Sequence, residues 1–190
     1  MIRNNQAQLY TIEGIASAML MIVVVIFVLK AAPLTSNTAS ASHMQVEMEL
    51  EMRGQDLLTV LDYTPPGNQY SWLKDAIISW GGVEFDGQAA IRPLGGPTNV
   101  TARIIREVLG DIGIAYNVEV YYNTLSGAET RKMLWNGRPS DNAVIVSRKI
   151  VLHDEDLAAN PTLKSIITEM DPNNTEFWNI VEVRMTLWRM

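Results

Sequence analysis

The 190-residue chain has no cysteine and only two histidines, and just 19% of its residues are charged. Without cysteine there is no disulfide framework, no thiolate zinc site and no cysteine nucleophile. His43 and His153 lie far apart and share no ligand-type spacing, so no metal site is expected. Cations are scarce as well: 15 Lys and Arg stand against 21 Asp and Glu, a net charge of −6. That balance argues against a protein that coats nucleic acid. Gly81-Gly82 and Gly95-Gly96 lack the lysine and following helix of a phosphate-binding loop, and no serine occupies a nucleophile-elbow sequence. No convergent polar constellation emerges, so neither catalysis nor a cofactor is expected.

Apolar residues make up 47% of the sequence, too many for a disordered chain, and the length suits one domain with an appendage. Arg3 and Lys30 against Glu13 leave residues 1–30 at +1, so the remainder carries −7. The run Gly14–Leu29, GIASAMLMIVVVIFVL, is uncharged and its second half is almost pure Val, Ile, Leu and Phe. As a helix it measures ~24 Å at about 1.5 Å per residue. Extended back to Leu9 it reaches ~31 Å, matching a hydrocarbon core of about 30 Å. Because it is apolar on every side, it does not read as an amphipathic helix on a soluble domain. It reads as a membrane segment, with membrane lipid as its first partner.

Three kinds of segment fit. A secretory signal would use the small residues of Lys30-Ala31-Ala32-Pro33 for cleavage. A plain signal anchor would keep Arg3 inside and export everything after the helix. The third is an apolar helix in which Glu13 has a purpose. A carboxylate near a helix start is favoured by the helix dipole and can simply mark the headgroup boundary. If the helix instead runs through Gln8–Ile12, Glu13 enters apolar surroundings, where a charge near a span's centre costs about 2.5–3.5 kcal/mol, and needs a cationic partner.

The stretch Gln6-Ala7-Gln8-Leu9-Tyr10-Thr11-Ile12-Glu13-Gly14, followed by the apolar run, resembles the start of archaeal type IV pilin-like proteins. Downstream, Tyr116–Val120, Val146–Leu152 and Val181–Trp188 resemble the exported domains of pilin-like proteins. The resemblance implies a leader, residues 1–7, cut after Ala7 by a prepilin peptidase to leave Gln8 as the new N-terminus. It also implies that Glu13 neutralises the α-amino group of a neighbouring subunit when helices pack into a filament core. In this sequence only Arg3 is basic in the leader, and Glu13 stands one position later than the family spacing. The partners implied are copies of the chain or other pilin-like subunits. The segments expected are residues 8–30 as membrane or filament-core helix, 31–43 as stem, and 44–190 as an extracytoplasmic α+β domain.

Within the expected stem, AAPLTSNTASASH is rich in Ala, Ser and Thr, and Pro33 disfavours helix at its predecessor. In Met44–Met52 apolar residues alternate as in a strand, but Met and Glu are good helix formers and 56–61 continues at helical spacing, which favours a helix over 45–62. Its methionines are expected to pack toward the core rather than to bind copper or haem. Ser71–Trp80 reads as a short helix with a Ser cap, closed by Gly81-Gly82. Gly82–Gly96 reads as loop. Thr98 or Asn99 could cap a helix to about Asp111 with a stripe of Ile104, Ile105, Val108 and Leu109.

The period then changes. Ile114–Tyr122, Thr130–Trp135, Ala143–Leu152 and Phe177–Trp188 read as four strands, two with clean alternation that predicts an antiparallel sheet with one packed and one wet face. Thr124–Glu129 and Asn136–Asn142 fit hairpin connections. Asp154–Thr175 holds a possible helix over Thr162–Met170 and an Asp-Pro-Asn-Asn turn. With helices first and strands later, the fold class is α+β, not doubly wound. Asp154-Glu155-Asp156, with Asp171, Asn173 and Asn174, is oxygen-rich but lacks EF-hand spacing and reads as solvated turn. His153 at a strand end reads as structural. Asn99-Val100-Thr101 and Asn173-Asn174-Thr175 match the N-glycosylation pattern, by chance or for use on an exported surface. Together these features lead to the expectation of a pilin-like structural subunit, the alternative being a single-pass protein with an exported binding domain that never polymerises.

Overall fold

The structure is a computed structural model that describes residues 5–31, 41–91, 99–158, 160–171 and 175–189. Two compact units result, Met1–Ser42 and His43–Met190. Among the described residues the first holds helix α1, Asn5–Ala31, 27 residues and so ~40 Å long, and the first two residues of the next helix. It starts three residues earlier than the expected membrane helix. Within it, Tyr10–Phe27 is long and apolar enough to cross a membrane, and none of this window is buried.

In the second unit, helix α2 (Ala41–Leu61) lies on a four-stranded antiparallel sheet, as the α+β expectation requires. It begins before residue 45, so the expected stem ends sooner than 43; residues 32–40 of that stem lie outside the described residues. Leu50, Leu57, Leu58 and Leu61 are buried and Val46 packs beside them, which puts one face of α2 into the core. Gly54 sits on the same face. A Cβ built there would lie 2.5 Å from Leu187 Cδ1 and 2.8 Å from Val146 Cγ2, so any larger residue forces those side chains or the helix to shift. The expectation for the methionines is overturned: Met44, Met48 and Met52 are 53%, 59% and 62% exposed. The reason is the period. The strand-like alternation of Met44–Met52 dissolves on a helix, where 46, 50, 54, 57 and 61 share the inward face and 48 and 52 point away.

Helix α3 (Trp72–Ile78) is capped by Ser71, whose hydroxyl accepts from the Lys74 amide, and ends two residues before the expected Trp80. Helix α4 (Val100–Leu109) is capped by Asn99 and runs into a 3-10 turn over Gly110–Ile112. Gly113, at φ 75°, then turns the chain into the sheet. The buried stripe of α4 is Thr101, Ala102, Ile105 and Leu109; Val108, expected in it, is 44% exposed. The expected loop Gly82–Gly96 contains a 3-10 turn over Ala89–Ile91 and a bridge from Phe85 to Leu134; residues 92–98 lie outside the described residues.

Strands β1 (Ile114–Thr124), β2 (Gly127–Leu134), β3 (Val144–His153) and β4 (Phe177–Arg189) lie in the order β2-β1-β4-β3. The β1–β2 hairpin closes through Leu125-Ser126, with Thr124 opposite Gly127. The second expected hairpin is corrected: β2 and β3 are opposite edges, so residues 135–143 cross the end of the sheet instead of reversing. Three strand spacings, ~14 Å, are well within their reach. On the packed face Tyr116, Val118, Val120 and Tyr122 stand opposite Leu187, Met185, Val183 and Val181. The other face is wet over most of its area, with Lys149 opposite Glu182 and Ser147 opposite Arg184. At its lower end Asn117, Thr186 and Trp188 are buried. There the crossover docks, with Asn117 donating to the Gly137 carbonyl and accepting from the Asn136 amide. Helix α5 (Pro161–Ile166) is shorter than the expected Thr162–Met170.

Filling the Gly54 niche should cost stability. Gly54→Val is expected to destabilise the second unit by about 1–3 kcal/mol, the range for forcing methyl groups into a packed core. Met52→Ala, on the opposite side of the same helix, should stay within about 0.5 kcal/mol of the parent. Urea unfolding followed by tryptophan fluorescence measures both, and equal effects would show that α2 is not seated through Gly54.

Candidate functional site

In the first unit the site is the surface of α1 itself. Ala7 and Gln8, the expected processing junction, fall in the first turn of the helix. Glu13, the expected subunit contact, is exposed and is the only charge in Tyr10–Phe27. Around it Tyr10, Ile12, Ile15 and Met19 are each at least 65% exposed, and Leu20–Phe27 is exposed throughout. Helix formation satisfies the backbone but leaves these side chains with no apolar surroundings of their own. Such a surface can enter a bilayer or pack against other helices.

The titratable cluster of the second unit forms where α3 meets the end of β3. Asp156 lies in a 3-10 turn over Asp154–Leu157 and is almost wholly buried. Its Oδ2 is 2.6 Å from Lys74 Nζ and accepts from the His153 amide at 2.7 Å. The His153 ring in return accepts from the Asp156 amide, a reciprocal cap that makes His153 structural, as expected. Lys74 Nζ also stands 5.0 Å from the centre of the Tyr70 ring. Burial alone pushes the Asp156 carboxyl up, but the Lys74 hydrogen bond, the His153 amide, the Lys74 charge and the Tyr70 hydroxyl together hold it below the usual carboxylate range. Burial, then the hydrogen bond to Asp156, pushes the Tyr70 phenol up. The expectation of a solvated acidic turn is thus corrected at Asp156. Sequence inspection missed the partner because Lys74 lies so far away in the chain. Among the described residues no group of three His, Asp or Glu could hold a metal ion.

The remaining sequence candidates are scattered. Asn99 caps α4, its Oδ1 accepting from the Ala102 amide, while the Thr101 hydroxyl is buried and donates to the Trp72 carbonyl. Both polar residues of that acceptor pattern therefore serve α4. Asn173 and Asn174 lie outside the described residues; Asp171 accepts from the Thr175 amide. Arg148, on the packed face, reaches Asp62 at the end of α2 with a 2.7 Å ion pair. On the wet face Arg184 lies 3.8 Å from the Tyr121 ring centre, and its hydrogen bond holds the Glu182 carboxyl low.

The Asp156 cluster has a pH signature. Its folded pKa is depressed, so its stabilising contribution is complete above the ordinary value of about 3.9 and is lost as pH falls through the folded value. Asp156→Asn should cost about 3 kcal/mol near neutrality, as expected for breaking a buried pair, and should flatten the loss of stability below about pH 4. Unfolding free energies measured from pH 2 to 7 test this, and an unchanged acid limb would remove Asp156 from the account.

No curated protein and no solved structure matches the chain. One family model covers it from the helix α1 to the end of the sheet, taking in both units. The chain belongs to the family described as family of unknown function DUF7288, matched over residues 6–187.

Proposed function

We propose that the protein is a pilin-like structural subunit of a type IV pilus-like surface filament, anchored by α1 with its α+β domain outside the cell. The observation that carries this proposal is the exposed, largely apolar Tyr10–Phe27 surface whose one charge is Glu13. A bilayer satisfies that surface in the single subunit, and α1 helices of other copies satisfy it in an assembly. Glu13 suits the second state. Among apolar helices it needs a cation, and the α-amino group of a neighbouring subunit freed by cleavage after Ala7 supplies one. The acidic outer domain keeps itself soluble, with an apolar core drawn from residues 50–187. Resemblance of the Gln6–Gly14 stretch to archaeal type IV pilin-like proteins supports the same role.

Mass spectrometry of the protein from its native host should find a chain beginning at Gln8. An intact Met1 start would favour a non-polymerising single-pass anchor, and a start near Pro33 would make the helix a removable signal. For the assembly step, Glu13→Leu should leave membrane insertion unchanged and abolish incorporation into filaments, scored by fractionation and electron microscopy. Normal incorporation of that variant would remove Glu13 from the assembly contact.

A further inference from the structure

In the second unit a cleft of about 650 Å³ opens between α3, α4 and the 83–90 segment and penetrates to the packed face of the sheet. Its floor is Val118 and Val183, and its walls include Trp72, Trp80 and Phe85. Protein interiors rarely leave apolar space of this size unfilled, and the volume lies inside the roughly 300–1,000 Å³ of small-molecule sites. Two polar groups deep in the walls are already engaged. Trp80 Nε1 donates to the Val83 carbonyl at 2.8 Å, and the Thr101 hydroxyl donates to the Trp72 carbonyl at 2.9 Å. An occupant therefore meets a mostly apolar surface inside, and neither the Trp80 nor the Thr101 donor is left for it to satisfy.

The rim differs. Among the described residues Asp75 is the single charged one lining the cleft; it is exposed and makes no ion pair with any of them. A carboxylate at the mouth of an aromatic pocket selects by sign: it attracts a cation and repels a carboxylic acid. Indole and phenyl faces, which carry negative quadrupoles, favour the same charge.

We propose that this cleft binds a small amphiphilic cation, its apolar body against Trp72, Trp80 and Phe85 and its ammonium group at the Asp75 carboxylate. The site lies wholly in the second unit and is independent of the filament role, so either can fail without the other. Ala76, Ala90 and Ala102 line the cleft and give three methyl reporters.

The test uses the full chain in nanodiscs of zwitterionic lipid, with 13C-methyl alanine spectra recorded while 2-phenylethylammonium, 2-phenylethanol or phenylacetate is added. Saturable shifts of the three methyls are expected, with affinity falling in that order. Asp75→Asn should weaken the cation by about two- to fivefold, the scale of one exposed ion pair, and leave the alcohol unchanged. Ala76→Leu, which narrows the cleft, should weaken both; Ala102→Leu is the second filling variant, used where the first fails to fold. Methyls that do not shift, phenylacetate binding as well as the cation, or an Asp75→Asn variant that binds like the parent would each overturn the proposal.

Discussion

The second unit is organised by the approach of α2 to β3 and β4. A helix normally rests on a sheet through its side chains, about 10 Å away, and bulky residues at the contact set the distance. Here Gly54 removes the side chain at the point nearest Val146 and Leu187, while Leu50 above and Leu57, Leu58 and Leu61 below close the seam. The Arg148–Asp62 pair ties the end of α2 to the packed face of the edge strand. With α2 fixed, α3 and α4 cover the β1–β2 side of that face, and their incomplete contact leaves the cleft over Val118 and Val183.

A second set of contacts fixes the connections. Asn117, with its bonds to residues 136 and 137, holds the crossover against the end of the sheet. At the other end Asn160 donates to the carbonyls of Ile78 and Trp80, and Asn179 donates to those of Asn123 and Thr168. Each of these buried or half-buried amides satisfies a carbonyl that would otherwise be stranded, which is how irregular chain is tolerated against a core. Lys74 and Asp156 do the same work with charge. Against this self-sufficient unit α1 stands apart in character, being apolar on all sides and carrying one carboxylate.

Much of the fold was legible in order and type. The strands at 114–122, 130–135, 143–152 and 177–188 were readable because alternation with β-branched residues has a strict period of two, and observed boundaries differ by a few residues. The cap at Ser71 was readable, and that of α4 was narrowed to Thr98 or Asn99, because a short polar side chain ahead of an apolar run satisfies local amides. The methionines of α2 were misassigned since Met and Glu suit either structure and their alternation mimics a strand. Strand order was illegible too. Residues 135–143 are short enough for a hairpin, and nothing local distinguishes reversing beside β2 from crossing to the far edge.

The sequence by itself determined the apolar rod near its start, the acidic α+β domain after it, and the lone Glu13 in the rod, because composition and period act through neighbours in the chain. Tertiary structure alone decided which face of α2 is buried, that β1 and β4 are central, that Lys74 meets Asp156, and that a cleft with Asp75 at its rim lies beside α3 and α4. Those outcomes depend on residues separated by tens of positions sharing the same small volume, and packing, not propensity, selects among the arrangements the sequence pattern permits.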